Sequence, residues 1–291
     1  MKRCSIIPSL FDLHSDLPSA LLRREKSAVN FDTKFTRHIQ TVAFYIPENT
    51  EEPYLYYKRM LKALNGQNSI PVNRLSKPRA VLLSVEGGAA FEDDLNRIYE
   101  FYNDKIRTVS LTWNHDNSLA GGAFGEGSLT QKGESSITIL NELNIVLDIS
   151  HLNEKSAVKA AEKAEFLIAS HSNSKSVFNH KRNLSDDLLK LIRDKNGLVG
   201  INFYPEFLGD GDVFEAIYRQ ISYMLSLGLE KNIAIGSDFD GAEMDPKLKD
   251  TEDVLSLFSY LSENFDDKKL IDGIFFENAR RFYQKLFDKR T

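Results

Sequence analysis

Cysteine is nearly missing from the chain. Cys4 is the only one in 291 residues, which excludes an intrachain disulfide framework and any zinc finger built on cysteine. An excess of positive charge is missing too. The 37 Lys and Arg stand against 42 Asp and Glu, a formal net charge of −5, and the basic residues are scattered, so no electrostatic footprint for nucleic acid exists. No stretch approaches the roughly 18 consecutive apolar residues of a membrane span. The opening residues, MKRCSIIPSLFDLHSD, carry two positive charges but no apolar core of signal-peptide length. A soluble, cytoplasmic protein without membrane attachment is the expectation. At 42% hydrophobic and 27% charged the composition is ordinary for a globular chain, and the length suits one barrel-sized domain or two smaller ones.

What the sequence does have is a cadence. Short apolar runs recur at residues 5–11, 41–46, 80–85, 108–113, 145–149, 166–169, 198–203 and 232–235. They are mostly β-branched or Leu-rich and do not alternate with polar residues, which suits strands covered on both faces. Helical patterns lie between them, at 53–64, 92–102, 154–164, 186–195 and 212–227. In the last of these, Phe214, Ile217, Ile221, Tyr223, Met224 and Leu225 fall near one helical face. Near the end, Ala279, Phe282, Tyr283, Leu286 and Phe287 repeat at i, i+3, i+4, i+7 and i+8, the pattern of an amphipathic helix that docks on the body. Residues 121–133 are rich in Gly and Ser and read as a loop able to move. Eight strands alternating with helices, with no linker, predict a (β/α)8 TIM-type barrel with a C-terminal docking helix, residues 1–291 forming one catalytic domain. A doubly wound open sheet shares the cadence and stays open as an alternative.

The residues that end these runs carry the chemistry. The first run leads into Asp12-Leu13-His14-Ser15-Asp16, the third into Glu86-Gly87-Gly88, the fifth into His151, the sixth into His171 and the eighth into Asp238. Strand C-termini share one rim of a barrel, so residues far apart in sequence converge there. In an extended strand i and i+2 face the same way, which aims His14 and Asp16 into the mouth and turns Leu13 and Ser15 away. Histidines and carboxylates suit zinc or a similar divalent ion, with Mn²⁺ or Co²⁺ as alternatives to Zn²⁺. In this scheme His14 and Asp16 take one ion, His151 and His171 a second, and Glu86 offers one oxygen to each. A hydroxide bridging the ions attacks a carbonyl, and Asp238 moves the proton to the leaving amine. Asp240 is a second candidate for that last task. Each residue also has a plainer reading. His14 alone fits a hydrogen-bonded core histidine, Glu86 a turn acceptor, and His151 and His171 helix caps beside Asn153 and Ser172; Asp238 and Asp240 fit turn positions. His38, next to Arg37, and His180, next to Lys181, read as solvated. His115 lies in the polar stretch after the fourth run and either lines the site or steadies a loop.

The ordered blocks DLHSDLP (12–18), VEGG (85–88), LTWN (111–114), VLDISHL (146–152), ASHS (169–172), RNL (182–184), GINFY (200–204) and GSDFDG (236–241) resemble the membrane (renal-type) dipeptidase family, a branch of the metal-dependent amidohydrolase barrels. The resemblance implies two zinc ions held by His14, Asp16, His151 and His171 with Glu86 bridging. It implies a dipeptide substrate, often with a D-residue on its C-terminal side, whose carboxylate Arg182 binds and whose free amine lies near Asp238. It also implies a homodimer. The chain departs from the family where a His commonly follows the Leu-Thr pair: here stands Trp113, with His115 two residues on. Gly87-Gly88-Ala89-Ala90 likewise lacks the His often found after the bridging glutamate. Tyr204 and Phe207 are expected to wall the substrate site, and His115 to touch the substrate if it stands in for the missing histidine. A zinc dipeptidase is the reading. Two others stay open: an amidohydrolase acting on a lactam, lactone or N-acyl amino acid, and a barrel that binds a ligand without catalysis.

Overall fold

The apolar runs pair as parallel strands and close on themselves. The computed structural model describes residues 7–23, 25, 33–66 and 71–289. Its strands are β1 (Leu10–Asp12), β2 (His38–Tyr45), β3 (Arg79–Glu86), β4 (Ile106–Ser110), β5 (Val146–Asp148), β6 (Leu167–Ala169), β7 (Leu198–Ile201) and β8 (Ile233–Ile235). They stand in chain order around a closed barrel, and β1 completes it by pairing with β2 on one side and with β8 at Asp12↔Ile235 on the other. An open sheet would leave two edge strands with one neighbour each, whereas here all eight have two, so the fold is the TIM-type (β/α)8 barrel. No helix among the described residues is long and apolar enough to cross a membrane.

Strand parity decides what faces the axis. In β3, Val81, Leu83 and Val85 pack outward into the main core beneath the helices, whereas Ala80 and Leu82 belong to the inner cluster. Ser84 and Glu86 continue the inward face, which is how Glu86 reaches the mouth. By the same count Val146 and Asp148 of β5 look inward, as do Ile168 of β6 and Ser170 just beyond it.

The helices are α1 (Leu17–Leu22), α2 (Pro53–Asn65), α3 (Arg97–Asn103), α4 (Gln131–Glu142), α5 (Glu154–Lys163), α6 (Asp186–Asp194), α7 (Pro205–Leu208), α8 (Val213–Ser226), α9 (Val254–Phe265), α10 (Lys268–Asp272) and α11 (Asn278–Asp288). Side-chain caps start several of them: Asn153 accepts the Ser156 amide at α5, Ser185 the Leu188 amide at α6, and Asp212 the Phe214 and Glu215 amides at α8. Ser172, expected as a cap, heads no helix; α6 begins fourteen residues later, at Asp186. α11 closes the end of the barrel opposite the strand C-termini. Ala279, Tyr283 and Leu286 are buried in the inner cluster with Phe11, Ile39, Ala80 and Leu198, while Phe282 and Phe287 pack at its edge.

Several boundaries differ from the sequence reading. The first run was expected at 5–11, but β1 spans Leu10–Asp12, and Ser5 and Ile6 lie outside the described residues. The helical pattern expected from residue 92 starts at Arg97, because a 3₁₀ turn at Gly88–Ala90 and the loop after it hold the acidic residues. In α8 the buried face is Val213, Ala216, Ile217, Gln220, Ile221 and Met224, and Phe214, Tyr223 and Leu225 lie off its centre. The stretch 121–133, read as a loop able to move, is tied down. Asp116 accepts the amides of Gly122, Glu126 and Gly127, Asn153 donates to the Gly125 and Gly127 carbonyls, and residue 131 already begins α4.

A candidate metal centre beneath a small cavity

The strand C-termini open into a cavity of about 280 Å³, lined by Asp16, Glu86, His151, His171, Arg182 and Asp238 among others, with His14 directly beneath. That volume sits at the small end of ligand pockets, which run roughly 300–1,000 Å³. β1 ends at Asp12 and a bend follows at Leu13; Ser15 then pairs with Phe239 beyond β8, which carries His14 and Asp16 along the rim.

Five residues from four strand ends, and Asp238 from a fifth, meet here. His14 Nε2 lies 3.4 Å from Glu86 Oε2, 3.8 Å from Asp16 Oδ2 and 3.9 Å from Asp238 Oδ1. On the other side of Glu86, Oε1 lies 2.6 Å from His151 Nε2 and 3.8 Å from His171 Nε2. The two Nε2 atoms of His151 and His171 are 2.9 Å apart. Two triplets therefore share Glu86: His14 with Asp16, and His151 with His171, the ligand atoms of each lying within 4.8 Å of one another. The five side chains of these triplets are buried, and Asp238 is partly exposed at the mouth.

Hydrogen bonds behind the rings set which nitrogen is bare. His151 Nδ1 is 3.0 Å from Asn114 Oδ1, an acceptor, so Nδ1 carries the proton and Nε2 presents a lone pair. Arg182 Nη2 donates to that same Nε2 at 3.1 Å, which agrees. Among the described residues His14 Nε2 and Asp16 Oδ1 are buried with no hydrogen-bond partner. Buried polar atoms left without partners cost free energy unless a ligand completes them. A set of imidazole and carboxylate donors converging in this way fits a pair of divalent cations.

Burial and mutual charge shift the ionisation of these groups in opposite directions. Burial and then the Glu86 charge push Asp16 up to about 7. Burial pulls His14 down, yet Glu86 and Asp16 outweigh it and hold the ring well above its ordinary value. Burial opposes ionisation of Glu86, but His14 and His151 keep it well below the usual carboxylate range. Burial holds His171 well below the ordinary histidine value, helped by His14, His151 and Arg182.

The remaining site residues expected from sequence divide. Arg182, from the loop between β6 and α6, is buried with Nη1 unpartnered among the described residues, and its guanidinium lies 5.4 Å from the Phe207 ring centroid. Asp238 sits just past β8 with φ 65°, a left-handed backbone uncommon for a residue with a side chain, and its Oδ2 accepts from Asn202 Nδ2 at 3.0 Å. Asp240 (φ 68°), Tyr204 and Phe207 line the cavity. His115 does not. It is mostly exposed, its Nδ1 pairs with Glu48 at 2.7 Å, and it belongs to a neighbouring cavity of about 420 Å³. Trp113, at the departure from the family pattern, walls both cavities and lies near-parallel to the His151 ring at 6.1 Å.

Two histidines expected to be solvated are not. His38 is buried at the foot of β2, because that strand starts three residues before the apolar run, and its Nε2 bonds Gln40 Oε1 at 3.2 Å. His180 is half-buried and stacks on Phe207 at 4.7 Å. The sequence reading missed Asn114, Asp148, Ser170 and Asn202, which hold other site residues. One signal was present for Asp148: a carboxylate inside the fifth apolar run, three residues before His151.

A family model described as membrane dipeptidase (peptidase family M19) matches residues 48–289. Among curated proteins, an uncharacterized protein of the pqqA 5′ region in Klebsiella pneumoniae is 31% identical over 231 residues, covering 74% of this chain and 85% of that one. An uncharacterized dipeptidase of Schizosaccharomyces pombe is 28% identical over 220 residues, covering 72% of this chain and 54% of its own length, so the chain spans about half of that relative. Among solved structures, a metallopeptidase from Rhodobacter sphaeroides, liganded with a phosphinate mimic of the dipeptide L-Ala-D-Ala, superposes with a TM-score of 0.86 at 23% identity. The match covers 97% of this chain and 100% of that one, a likeness of fold.

Proposed function

The chain belongs to the membrane dipeptidase family, peptidase family M19, and is a metallo-dipeptidase; from that premise we propose that His14, Asp16, Glu86, His151 and His171 hold two divalent cations, zinc by ligand type, and that Arg182 and Asp238 hold the two ends of a dipeptide. The observation that carries this reading is the convergence of imidazole nitrogens and carboxylates on both sides of Glu86, with the Nε2 atoms of His151 and His171 2.9 Å apart and the only protein donor to them among the described residues, Arg182 Nη2, on His151. The family match begins at residue 48, so His14 and Asp16 rest on geometry rather than on that match.

When bound, such a pair of cations lowers the pKa of a coordinated water to about 7 and polarises the scissile carbonyl. The chain's own groups supply the rest. Arg182, already buried and with Nη1 unpartnered, takes the substrate carboxylate in its planar fork, since a buried guanidinium is stabilised by an anion that completes its hydrogen bonds. Phe207 backs the guanidinium and, with Tyr204, walls that side of the cavity. Asp238 faces the substrate ammonium. With Oδ2 pinned by Asn202, Oδ1 is the atom that accepts a proton at the mouth and returns it to the departing nitrogen. Trp113, which lines both the cavity and its neighbour, has only an N–H to offer. Dipeptides with a D-residue on the C-terminal side are the first substrates to try, supported by the L-Ala-D-Ala mimic bound by the Rhodobacter sphaeroides protein.

The test is a panel of L-Xaa-L-Xaa and L-Xaa-D-Xaa dipeptides given to metal-loaded and chelated enzyme, with metal content counted by elemental mass spectrometry. Two cations per chain and chelator-sensitive hydrolysis are expected. Arg182→Met should lower kcat/KM on dipeptides by about 10²-fold or more, the cost of losing a buried charge pair, and spare substrates lacking a free carboxylate. Hydrolysis that survives complete removal of metal would overturn the reading.

A further inference from the structure

Four polar groups surround one hydroxyl under the site; one of them, Ser150 Oγ at 3.3 Å, commits its own proton to Asp148 Oδ1. Ser170 Oγ lies 2.8 Å from His171 Nδ1 and 3.3 Å from His14 Nδ1, and it donates to Asp148 Oδ2. The other oxygen of Asp148 is already occupied. Oδ1 accepts the amides of Ser150 and Ser170 at 3.0 Å each and the Ser150 hydroxyl at 2.7 Å. An ionised carboxylate only accepts, so the single Ser170 proton goes to Asp148 Oδ2. A hydroxyl then has two lone pairs left, and the two imidazoles are positioned to use them. Both rings therefore carry their proton on Nδ1 and turn Nε2 toward the cluster.

The barrel is shaped around this residue. A Cβ on Gly200 of β7, or on Gly236 just past β8, would overlap the Ser170 carbonyl oxygen. Both positions have been cleared so that the chain at Ser170 can sit close to the axis. Asn114 performs the corresponding task for His151 alone, through Nδ1.

Resting on the two-cation reading above, we infer that Ser170, held by Asp148, is a positioning residue shared by both halves of the metal centre: one hydroxyl orients His14 of one ion and His171 of the other. Losing it leaves two buried N–H groups without an acceptor and frees both rings to move the proton to Nε2, which removes the lone pair a cation needs. Losing Asn114 affects one ion only.

The experiment is zinc titration of the metal-free full chain against a chromophoric chelator, for the native protein, Ser170→Ala, Asn114→Ala and Asp148→Asn. Native protein should take up two ions. Ser170→Ala should weaken both by about 10- to 100-fold, the usual cost of losing an outer partner of a ligating histidine, and Asn114→Ala should weaken one and leave the other within about twofold. In Asp148→Asn the side-chain amide donates to Ser170, whose proton must then go to one imidazole, so at least one ion should weaken although the shape is kept. Should Ser170→Ala fail to fold, this near-isosteric variant decides. Independently, ¹⁵N–¹H spectra of the metal-free native protein should show Nδ1–H protons of His14 and His171, altered in Ser170→Ala and unaltered in Asn114→Ala. Native-like affinity for both ions in folded Ser170→Ala, or in Asp148→Asn where that is the deciding variant, overturns the inference. A native protein that takes up no zinc overturns the two-cation reading beneath it.

Discussion

At the foot of β2 His38 is packed against the Phe35 ring at 5.9 Å, and desolvation, only partly offset by the bond to Gln40, pushes it down to about 4. In the unfolded chain it titrates near its ordinary value of about 6.5, so as pH falls below that the unfolded state binds a proton the native state refuses. His38 therefore removes stability progressively from about pH 6.5 to about pH 4, by roughly 3 kcal/mol in all. His38→Gln abolishes that titration. Urea unfolding of the chelated proteins across the window should show the native protein losing that much more than the variant, and parallel losses would count against the assignment. The same residue shows where reading a sequence one position at a time stops working. Arg37 beside it suggests a solvated site, yet the strand extends three residues past its apolar run and takes His38 inside. The five candidate ligands were legible because each ends a run that the barrel brings to one rim. Arg182 lies in a loop and was legible only through the family resemblance. Ser170 and Asn114 act by holding other side chains, which no spacing rule marks.

Among the elements, the strands were the most readable, since eight short, mostly apolar runs recur between helical patterns and each overlaps a strand of the barrel. Helices were read less completely. α4 hides its periodicity behind Gly133, Ser135 and Ser136, and only Ile137 and Leu140 supply large buried apolar side chains. α7 is four residues long and α9 follows a loop with no strand signal before it. α11 was readable because its buried face repeats cleanly, and the structure shows what that face does. Tyr283 stacks on Phe11 at 5.5 Å and bonds Thr108 Oγ1 at 3.0 Å, filling the end of the barrel opposite the cavity. Tyr283→Phe should cost about 1 kcal/mol, the worth of one buried hydrogen bond, and Tyr283→Ala about 3–5 kcal/mol, the worth of an emptied aromatic site. Because the plug and the cavity lie at opposite ends, kcat/KM per folded molecule should change little in either variant. Urea midpoints and kinetics on the same preparations check both halves. A large kinetic defect with intact stability would show that the two ends are not independent.

Taken whole, the barrel is apolar and closed at one end and crowded with buried ionisable groups at the other. Asp16, Glu86 and Asp238 face His14 within 4 Å in a buried mouth, an arrangement that costs stability unless cations complete it. Cations that bind only the folded chain stabilise it by mass action, by about 2.7 kcal/mol for each site at a hundredfold excess over Kd. For two sites in a chain of this size that should raise Tm by roughly 10 °C over the chelated protein. The gain is also localised. The candidate ligands hang from the ends of β1, β3, β5 and β6, whereas Phe11, Ile39, Ala80 and Leu198 remain sealed by α11 whatever the mouth contains. In hydrogen exchange, chelation should speed amides near residues 12–16, 86–88, 148–152 and 170–172 and leave those of α11 unchanged. A Tm indifferent to zinc would remove the cations from the account of stability. Protection lost evenly over the whole barrel would show instead that the mouth and the plug unfold as one unit, and that the division of labour between the two ends is absent.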